Sequence, residues 1–600
     1  MGRKIQQSAK LFATVQYHMI AAENINSFWA SLCIEELVRN GITFFCISPG
    51  SRSTPLTLAA TRHAKTECLL CHDERGAAFC ALGYARARGP AALICTSGTA
   101  AANYFPAVIE ASLDAVPMIL LTADRPPELL ETGANQAIRQ QKLYGDYTRW
   151  DFVFPTPSSE ISPRFVLTTI NQAVYRCHFP VPGPVHLNCM FREPLTPEPI
   201  GFTLSPDFKF EGWQNSSKPF TSYSPGQNTL QTKSLHALAA LLDRTEKGLV
   251  IVGRRPAQQQ QSLQVPHFLH ALNWPVYADI GSGLRLGPPK WPVWDEKYFY
   301  SNRLCTSWQP DSVLQIGGSF ISKRLQSWLE HNPPSHYIHC DTNPRRQDPG
   351  HLITERYDID FELCCGELAV QIHPSAPSFD FQLINDLIHS VDAEAEKTLS
   401  LETLNEPGVA MLVSRLIPGQ HGLFLGNSLP IRDMNTFALR DGPAVPVATN
   451  RGASGIDGSI ATAVGFACGL ARPVTAIIGD VAALHDLNSL ILMKKAPPIF
   501  LIIINNNGGG LFSFLPISQY KQDFETWFET PHNLSFEKAA QLFDVPWAQP
   551  TSMAVFKDVY RRACLDEKSI IIEIQTNKRD NFTLHQQVEQ KMARFINSKL

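Results

Sequence analysis

The chain has 600 residues, 44% of them hydrophobic and 18% charged, and a formal charge of -3. That is far more apolar material than one core requires, so several globular domains are expected. Near-neutrality excludes an electrostatic grip on nucleic acid or an anionic membrane, and no run approaches the roughly 18 uninterrupted apolar residues of a membrane span, which leaves small molecules as the expected ligands.

The opening MGRKIQQSAKLFATVQYHMI lacks a compact apolar block followed by a cleavage site. Residues 1–23 therefore read as a tail, with a start at Met19 as the alternative, and a cytoplasmic location is expected. The fourteen cysteines then read as reduced core residues. Cys68-Leu-Leu-Cys71-His72 spells a haem-attachment pattern, but it lies in an apolar run that reads as a strand, with no export signal.

Along residues 24–195, short apolar runs at 44–47, 68–71, 92–95 and 118–121 alternate with helical patterns, and each precedes a polar or Gly-rich turn. This is the rhythm of a parallel α/β sheet. The Pro-, Ser-, Asn- and Gln-rich stretch 196–233 reads as a linker. A second block, 234–373, carries expected strands at 248–252, 276–278, 312–316 and 337–339 and fades into a second polar linker, 374–406. The third block, 407–600, carries expected strands at 423–425, 445–448, 474–478 and 499–504. The fold class is α/β, in three domains with mainly parallel sheets.

The sharpest chemical signal is Gly479-Asp480 after an apolar run, a helical stretch over 482–495, and a second run ending in Asn505-Asn506-Asn507-Gly508-Gly509. A strand-helix-strand crossover makes the two strands parallel, so Asp480 and the asparagines emerge at one carboxyl edge. A carboxylate and an amide oxygen facing one crevice suit Mg²⁺, which relies on few protein ligands and on phosphate oxygens. Free N–H groups at the start of the following helix suit a diphosphate. Either half alone reads as an ordinary turn; the spacing joins them. His72-Asp73-Glu74-Arg75-Gly76 places a second carboxyl at a strand end before a helix, where on its own it reads as a first-turn acid stabilised by the helix dipole.

The Gly-Asp…Asn-Asn arrangement resembles the motif of thiamine-diphosphate enzymes. The resemblance implies the thiamine-diphosphate-binding fold, with an N-terminal pyrimidine-binding domain and a C-terminal diphosphate-binding domain. It implies thiamine diphosphate as cofactor and Mg²⁺, or Mn²⁺, held by Asp480, Asn506 and the Gly508 carbonyl. It also makes Glu74 the catalytic carboxyl on the cofactor's pyrimidine and Ile456 the aliphatic prop beneath the cofactor. Ala482 departs from the pattern, standing where many relatives have a serine that touches the diphosphate.

Longer matches are similar to one branch, the SEPHCHC synthases or MenD family. They are Ile47-Ser-Pro-Gly-Ser-Arg-Ser-Thr-Pro-Leu56, Thr122-Ala-Asp-Arg-Pro-Pro127, Thr132-Gly-Ala-Asn-Gln136, Gly426-Asn-Ser-Leu-Pro-Ile-Arg-Asp433, Asn450-Arg-Gly-Ala-Ser-Gly-Ile-Asp-Gly458 and Asn507-Gly-Gly-Gly-Leu-Phe512. The resemblance runs from about residue 24 onward. It implies decarboxylation of 2-oxoglutarate and 1,4-addition of the succinyl unit to isochorismate, in menaquinone or phylloquinone biosynthesis. Ser428, Arg432 and Arg451 are implied to hold 2-oxoglutarate, and Ser51, Arg52, Gln136, Lys323 and Arg324 to hold isochorismate. Leu511, Phe512 and Leu515 are implied to wall the pocket, the first two against the cofactor. A homodimer or dimer of dimers is implied, with each site shared between two chains. The residues agree with polyanionic substrates: Arg52, Arg125, Arg432 and Arg451 each follow an expected strand, where planar guanidinium forks grip carboxylates. The alternatives are a generic thiamine-diphosphate 2-oxoacid decarboxylase or carboligase; a dinucleotide binder, for which Gly281-Ser-Gly283 with Leu286 gives only a broken fingerprint; and a catalytically dead interaction protein, which would be expected to have lost Glu74 or Asp480, both present here.

Overall fold

Alternation of apolar runs with helices produces three parallel sheets. The computed structural model describes residues 22–205, 207–374, 381–399 and 403–600, so the expected tail lies almost entirely outside the described residues. The first sheet is built from β1 (Phe44–Ile47), β2 (Glu67–Leu70), β3 (Ala91–Cys95), β4 (Met118–Asp124), β5 (Trp150–Phe154) and β6 (Pro184–Met190), in the order β2-β1-β3-β4-β6-β5. The second comprises β7 (Gly248–Val252), β8 (Val276–Ala278), β9 (Ser312–Ile316), β10 (His336–Cys340) and β11 (Glu355–Tyr357), in the order β11-β10-β9-β7-β8. The third comprises β12 (Gly422–Leu425), β13 (Val447–Thr449), β14 (Val474–Gly479), β15 (Ile499–Asn505), β16 (Trp547–Ala548) and β17 (Ile570–Gln575). Its order, β13-β12-β14-β15-β17-β16, repeats that of the first sheet strand for strand.

Both faces of these sheets are covered, so the central strands are continuous apolar runs; every residue of β3, β4 and β15 is buried. The first and third sheets meet through two helices, Glu74–Ala87 and Ser459–Leu470, that cross at glycines. A Cβ on Gly83 would lie 2.1 Å from the Thr462 carbonyl oxygen, and one on Gly465 would lie 1.8 Å from that of Cys80. The backbones touch, which only glycine permits. No described helix is long and apolar enough to cross a membrane.

Three expectations need correction. The segment 374–406 is not simply a linker, because a helix, Phe381–Thr398, runs through it and buries Leu387, Ile388, Val391 and Ala395 along one stripe. The helix expected over 482–495 breaks at Asp486 into Asp480–His485 and a 3-10 stretch, Leu487–Lys495. The Asp486 carboxylate accepts from Ala461 N (2.9 Å) and Ser489 Oγ (2.6 Å), contacts that compete with a continuous helix. The strand expected at 445–448 starts two residues later at Val447, after Pro446, whose carbonyl still accepts from Leu423 N.

Candidate active site

In the third sheet the chain runs outward from β12 to β13 and returns to β14 on the other side, so the crevice between the carboxyl ends of β12 and β14 is a topological switch point. Open parallel sheets bind ligands at such points. β12 leads to Ser428, β14 to Asp480 and β15 to Asn506. Asp480 is 2% exposed, and burial raises its pKa against the hydrogen bonds it accepts from Gly508 N (2.8 Å), His532 Nε2 (3.1 Å) and Val481 N (2.7 Å). The Asn506 amide has one fixed end: Nδ2 donates to Glu406 Oε1 at 3.1 Å, while Oδ1 is buried with no partner. A buried carbonyl oxygen left open in this way is available to a cation or a water. Gly508 has φ 125°, and a Cβ there would lie 1.9 Å from the Glu529 carbonyl oxygen, so only glycine lets the loop close over Asp480.

Glu406, Asp433, His585 and His532 surround this edge, and sequence reasoning singles out none of them. Glu406 starts the helix Glu406–Leu416; burial, then the Asp433 charge, raises its pKa to about 7. His585 on the C-terminal helix Lys578–Lys599 faces Asp433 at 2.9 Å; burial opposes its charge, but Asp433 prevails and lifts its pKa to about 9. The only sequence sign of Glu406 is its place between a capping Asn405 and Pro407. His532 lies in a polar turn with no pattern.

The expected substrate residues fall in separate places within one chain. Arg52 donates to the Phe191 carbonyl (3.0 Å) and pairs with Glu193 (3.2 Å). Arg125 bonds to Ser97, and burial followed by the Arg52 charge lowers its pKa. Exposed Ser51 and Gln136 lie in neighbouring loops of the same sheet, Gln136 against Gly98. Arg432 donates to the Ser428 carbonyl at 2.5 Å and Arg451 to Asn427 Oδ1 at 3.0 Å. Burial, then Arg432 and the middle-domain Arg254, lowers the Arg451 pKa. Within one chain the four arginines thus form two groups, Arg52 with Arg125 and Arg432 with Arg451, which hang on different sheets. Arg254, just past the end of β7, joins the second group unanticipated. Lys323 is exposed, while Arg324 pairs with Glu589 (2.8 Å) and covers the Tyr300 ring. Ser428 holds a strained φ of 77° for a non-glycine residue, as substrate-facing turns often do. Leu511 and Phe512 lie in the turn Gly510–Phe514, and Ile456 is half-buried.

Glu74 opens its helix behind the Asp73 cap. Its neighbours bind the same chain's segment beyond Asp480: Arg75 Nη2 donates to the His485 carbonyl (2.7 Å), and Asn488 Nδ2 to Asp73 (3.2 Å). A cavity of about 620 Å³ lies elsewhere, between the first and middle sheets beside Arg88, Arg254 and Gly318.

Family descriptions match in the order of the sheets. "Thiamine pyrophosphate enzyme, N-terminal TPP binding domain" matches residues 29–143, "Middle domain of thiamine pyrophosphate" residues 208–425, and "Thiamine pyrophosphate enzyme, C-terminal TPP binding domain" residues 420–574. A 2-succinyl-5-enolpyruvyl-6-hydroxy-3-cyclohexene-1-carboxylate (SEPHCHC) synthase of Rubrobacter xylanophilus is 44% identical, over 94% of this chain and 98% of its own. Synthases of the same name from Prosthecochloris aestuarii (44%, over 95% and 98%) and Salinibacter ruber (40%, over 97% and 99%) match similarly. The chain belongs to the SEPHCHC synthase family.

For a SEPHCHC synthase the donor set is chemically apt. Among the described residues no group of three or more His, Cys, Asp or Glu side chains could hold a metal. A cation here would depend on one carboxylate, Asp480, and the unpartnered Asn506 oxygen, with the remaining positions left to phosphate and water. That is the binding style of Mg²⁺. His532 Nε2, 3.1 Å from Asp480 Oδ2, helps to fix the orientation of that carboxylate.

Proposed function

We propose that the protein decarboxylates 2-oxoglutarate and joins the remaining four-carbon unit to isochorismate by 1,4-addition, giving SEPHCHC for menaquinone or phylloquinone biosynthesis. The observation that carries this reading is the buried, unpartnered Asn506 Oδ1 beside Asp480 at the switch point, in a chain that follows SEPHCHC synthases along nearly its full length. Thiamine diphosphate, when bound, supplies the electron sink that 2-oxoacid decarboxylation needs. Asp480, Asn506 and the Gly508 carbonyl hold Mg²⁺ or Mn²⁺, and Ile456 supports the cofactor. Glu74 holds a proton against the cofactor's pyrimidine.

Arg432, Arg451 and Ser428 grip the 2-oxoglutarate carboxylates. Arg52 and Arg125, with Ser51, Gln136, Lys323 and Arg324, receive isochorismate. Each anion thereby meets guanidinium forks at low dielectric, where charge-assisted bonds are strong. Leu511, Phe512 and Leu515 exclude water and so favour addition over protonation. Since the two arginine groups lie on different sheets, we place each site between two protomers of a cytoplasmic homodimer or dimer of dimers, with Glu74 of one chain serving the Asp480 edge of the other.

The test follows 2-oxoglutarate consumption by the purified, cofactor-loaded protein with and without isochorismate. Acceptor-dependent consumption is expected. Consumption indifferent to isochorismate, with succinic semialdehyde accumulating, would instead establish the generic decarboxylase reading.

A further inference from the structure

Arg451 sits on the loop 450–455, whose backbone is held from the first domain by a group the reaction scheme leaves unused. Glu110, in the helix Phe105–Leu113, is 3% exposed. Its two carboxylate oxygens accept consecutive backbone N–H groups, Oε1 from Gly452 at 2.8 Å and Oε2 from Ala453 at 2.6 Å. Arg86 Nη2 donates to the same Oε1 at 2.8 Å, and the other arm of Arg86 binds Asp114, which also pairs with Arg254 of the middle domain.

Gly452 allows this contact. A Cβ there would lie 2.5 Å from the Glu110 carbonyl oxygen and 3.2 Å from Asp114 Cβ, so any side chain would lift the loop off the helix. On the opposite side Asn427 Nδ2 donates to the carbonyls of Asn450 (2.7 Å) and Gly455 (2.6 Å), and Asn427 Oδ1 accepts from Arg451 (3.0 Å). The loop is clamped at its base by Asn427 and at its crest by Glu110. A carboxylate suits the crest for two reasons: ionised acceptors make bonds about twice as strong as neutral ones, and its charge offsets the repulsion among Arg451, Arg432 and Arg254.

We propose that Glu110 is a positioning residue for 2-oxoacid recognition, fixing the Gly452 and Ala453 backbone and thereby aiming Arg451. The proposal rests on the reading of Arg451 as part of the 2-oxoglutarate grip. The experiment compares full-length, cofactor-loaded wild type, Glu110→Gln, Arg451→Ala and the double variant in KM for each substrate, with hydrogen–deuterium exchange across 450–455. Glu110→Gln turns one acceptor into a donor facing an N–H. It should speed exchange at 452–453 and raise the 2-oxoglutarate KM about tenfold, the scale of losing one charge-assisted bond, while the isochorismate KM stays within about twofold. Adding it to Arg451→Ala should raise the 2-oxoglutarate KM no further.

Unchanged exchange, or losses that multiply in the double variant, would overturn the proposal. If Arg451→Ala alone leaves the 2-oxoglutarate KM unchanged, the substrate assignment of Arg451 fails; faster exchange in Glu110→Gln would then mark only a loop clamp, and the recognition role falls with it. Should Glu110→Gln not fold, Glu110→Asp keeps the charge that Arg86 needs but withdraws the carboxylate by about 1.5 Å, and the same outcomes apply.

Discussion

Replacing Gly465 with alanine probes the joint that ties the Glu74 helix to the third domain. The new Cβ would lie 1.8 Å from the Cys80 carbonyl oxygen, 2.7 Å from its carbon and 2.9 Å from Tyr84 N. Each of these neighbours is backbone on a buried helix, so no flexible side chain can swing aside. Relief requires the helices to part by about 1 Å over an interface packed to native density. Overpacking of this kind costs roughly 1–3 kcal/mol, with backbone contacts at the upper end, and alanine returns about 1 kcal/mol of helix propensity. A net loss of about 2 kcal/mol should lower the first thermal transition by roughly 4–8 °C. Because Glu74 opens the displaced helix, thiamine-diphosphate affinity should fall as well. Differential scanning calorimetry and a cofactor titration measure both quantities. Gly212→Ala is the control, since a Cβ there meets nothing within 4 Å. A Gly465→Ala protein with wild-type midpoint and cofactor affinity would refute the argument that this crossing positions Glu74.

Asp486→Asn should flatten the acid limb of the stability curve. Burial lifts the Asp486 pKa to about 6, above an unfolded value of about 3.9, so its contribution is full below pH 4 and is lost as pH rises to 6. At about 1.36 kcal/mol per pH unit that loss is on the order of 3 kcal/mol, and asparagine retains partners for both hydrogen bonds; urea titrations that show the same slope in wild type and variant would contradict this. Asp480→Asn should weaken cofactor retention at least tenfold by removing the one charged metal ligand, whereas unchanged calorimetric affinity in saturating Mg²⁺ would count against the proposed ligand set. Arg52→Ala should impair product formation by about tenfold or more while sparing acceptor-free decarboxylation; an equal fall in both would remove Arg52 from the isochorismate site. Mixing inactive Glu74→Ala and Asp480→Ala proteins should restore activity after subunit exchange, because one site in each heterodimer escapes both lesions. Inactive mixtures with heterodimers confirmed by native mass spectrometry would rule out a shared site.

Local signals make much of this fold legible. β7, β8 and β9 coincide with apolar runs bounded by glycine, proline or serine, where turn chemistry and β-propensity agree. β6 opens on Pro184 and buries His186 and Asn188, and β17 buries Glu573, so neither reads as an apolar run. The helix Phe381–Thr398 hides its stripe among polar residues, and the break at Asp486 depends on Ala461, 25 residues away. The Asp480 and Asn506 pair is visible because two strand ends one crossover apart must share an edge. Glu406, His532 and Glu110 are not, because each acquires its role from a partner 52 to 343 residues distant. Strand-end position identifies Arg432 and Arg451 as candidates, but not that Arg52 and Arg125 would lie apart from them.

The central claim, carbon–carbon bond formation between two anionic substrates, is tested most directly by isotope transfer. Uniformly carbon-13-labelled 2-oxoglutarate and unlabelled isochorismate, incubated with the full-length protein, thiamine diphosphate and Mg²⁺, should yield SEPHCHC carrying four labelled carbons, with the fifth released as labelled carbon dioxide. Label that ends in free succinic semialdehyde, or that never leaves 2-oxoglutarate, would contradict the account.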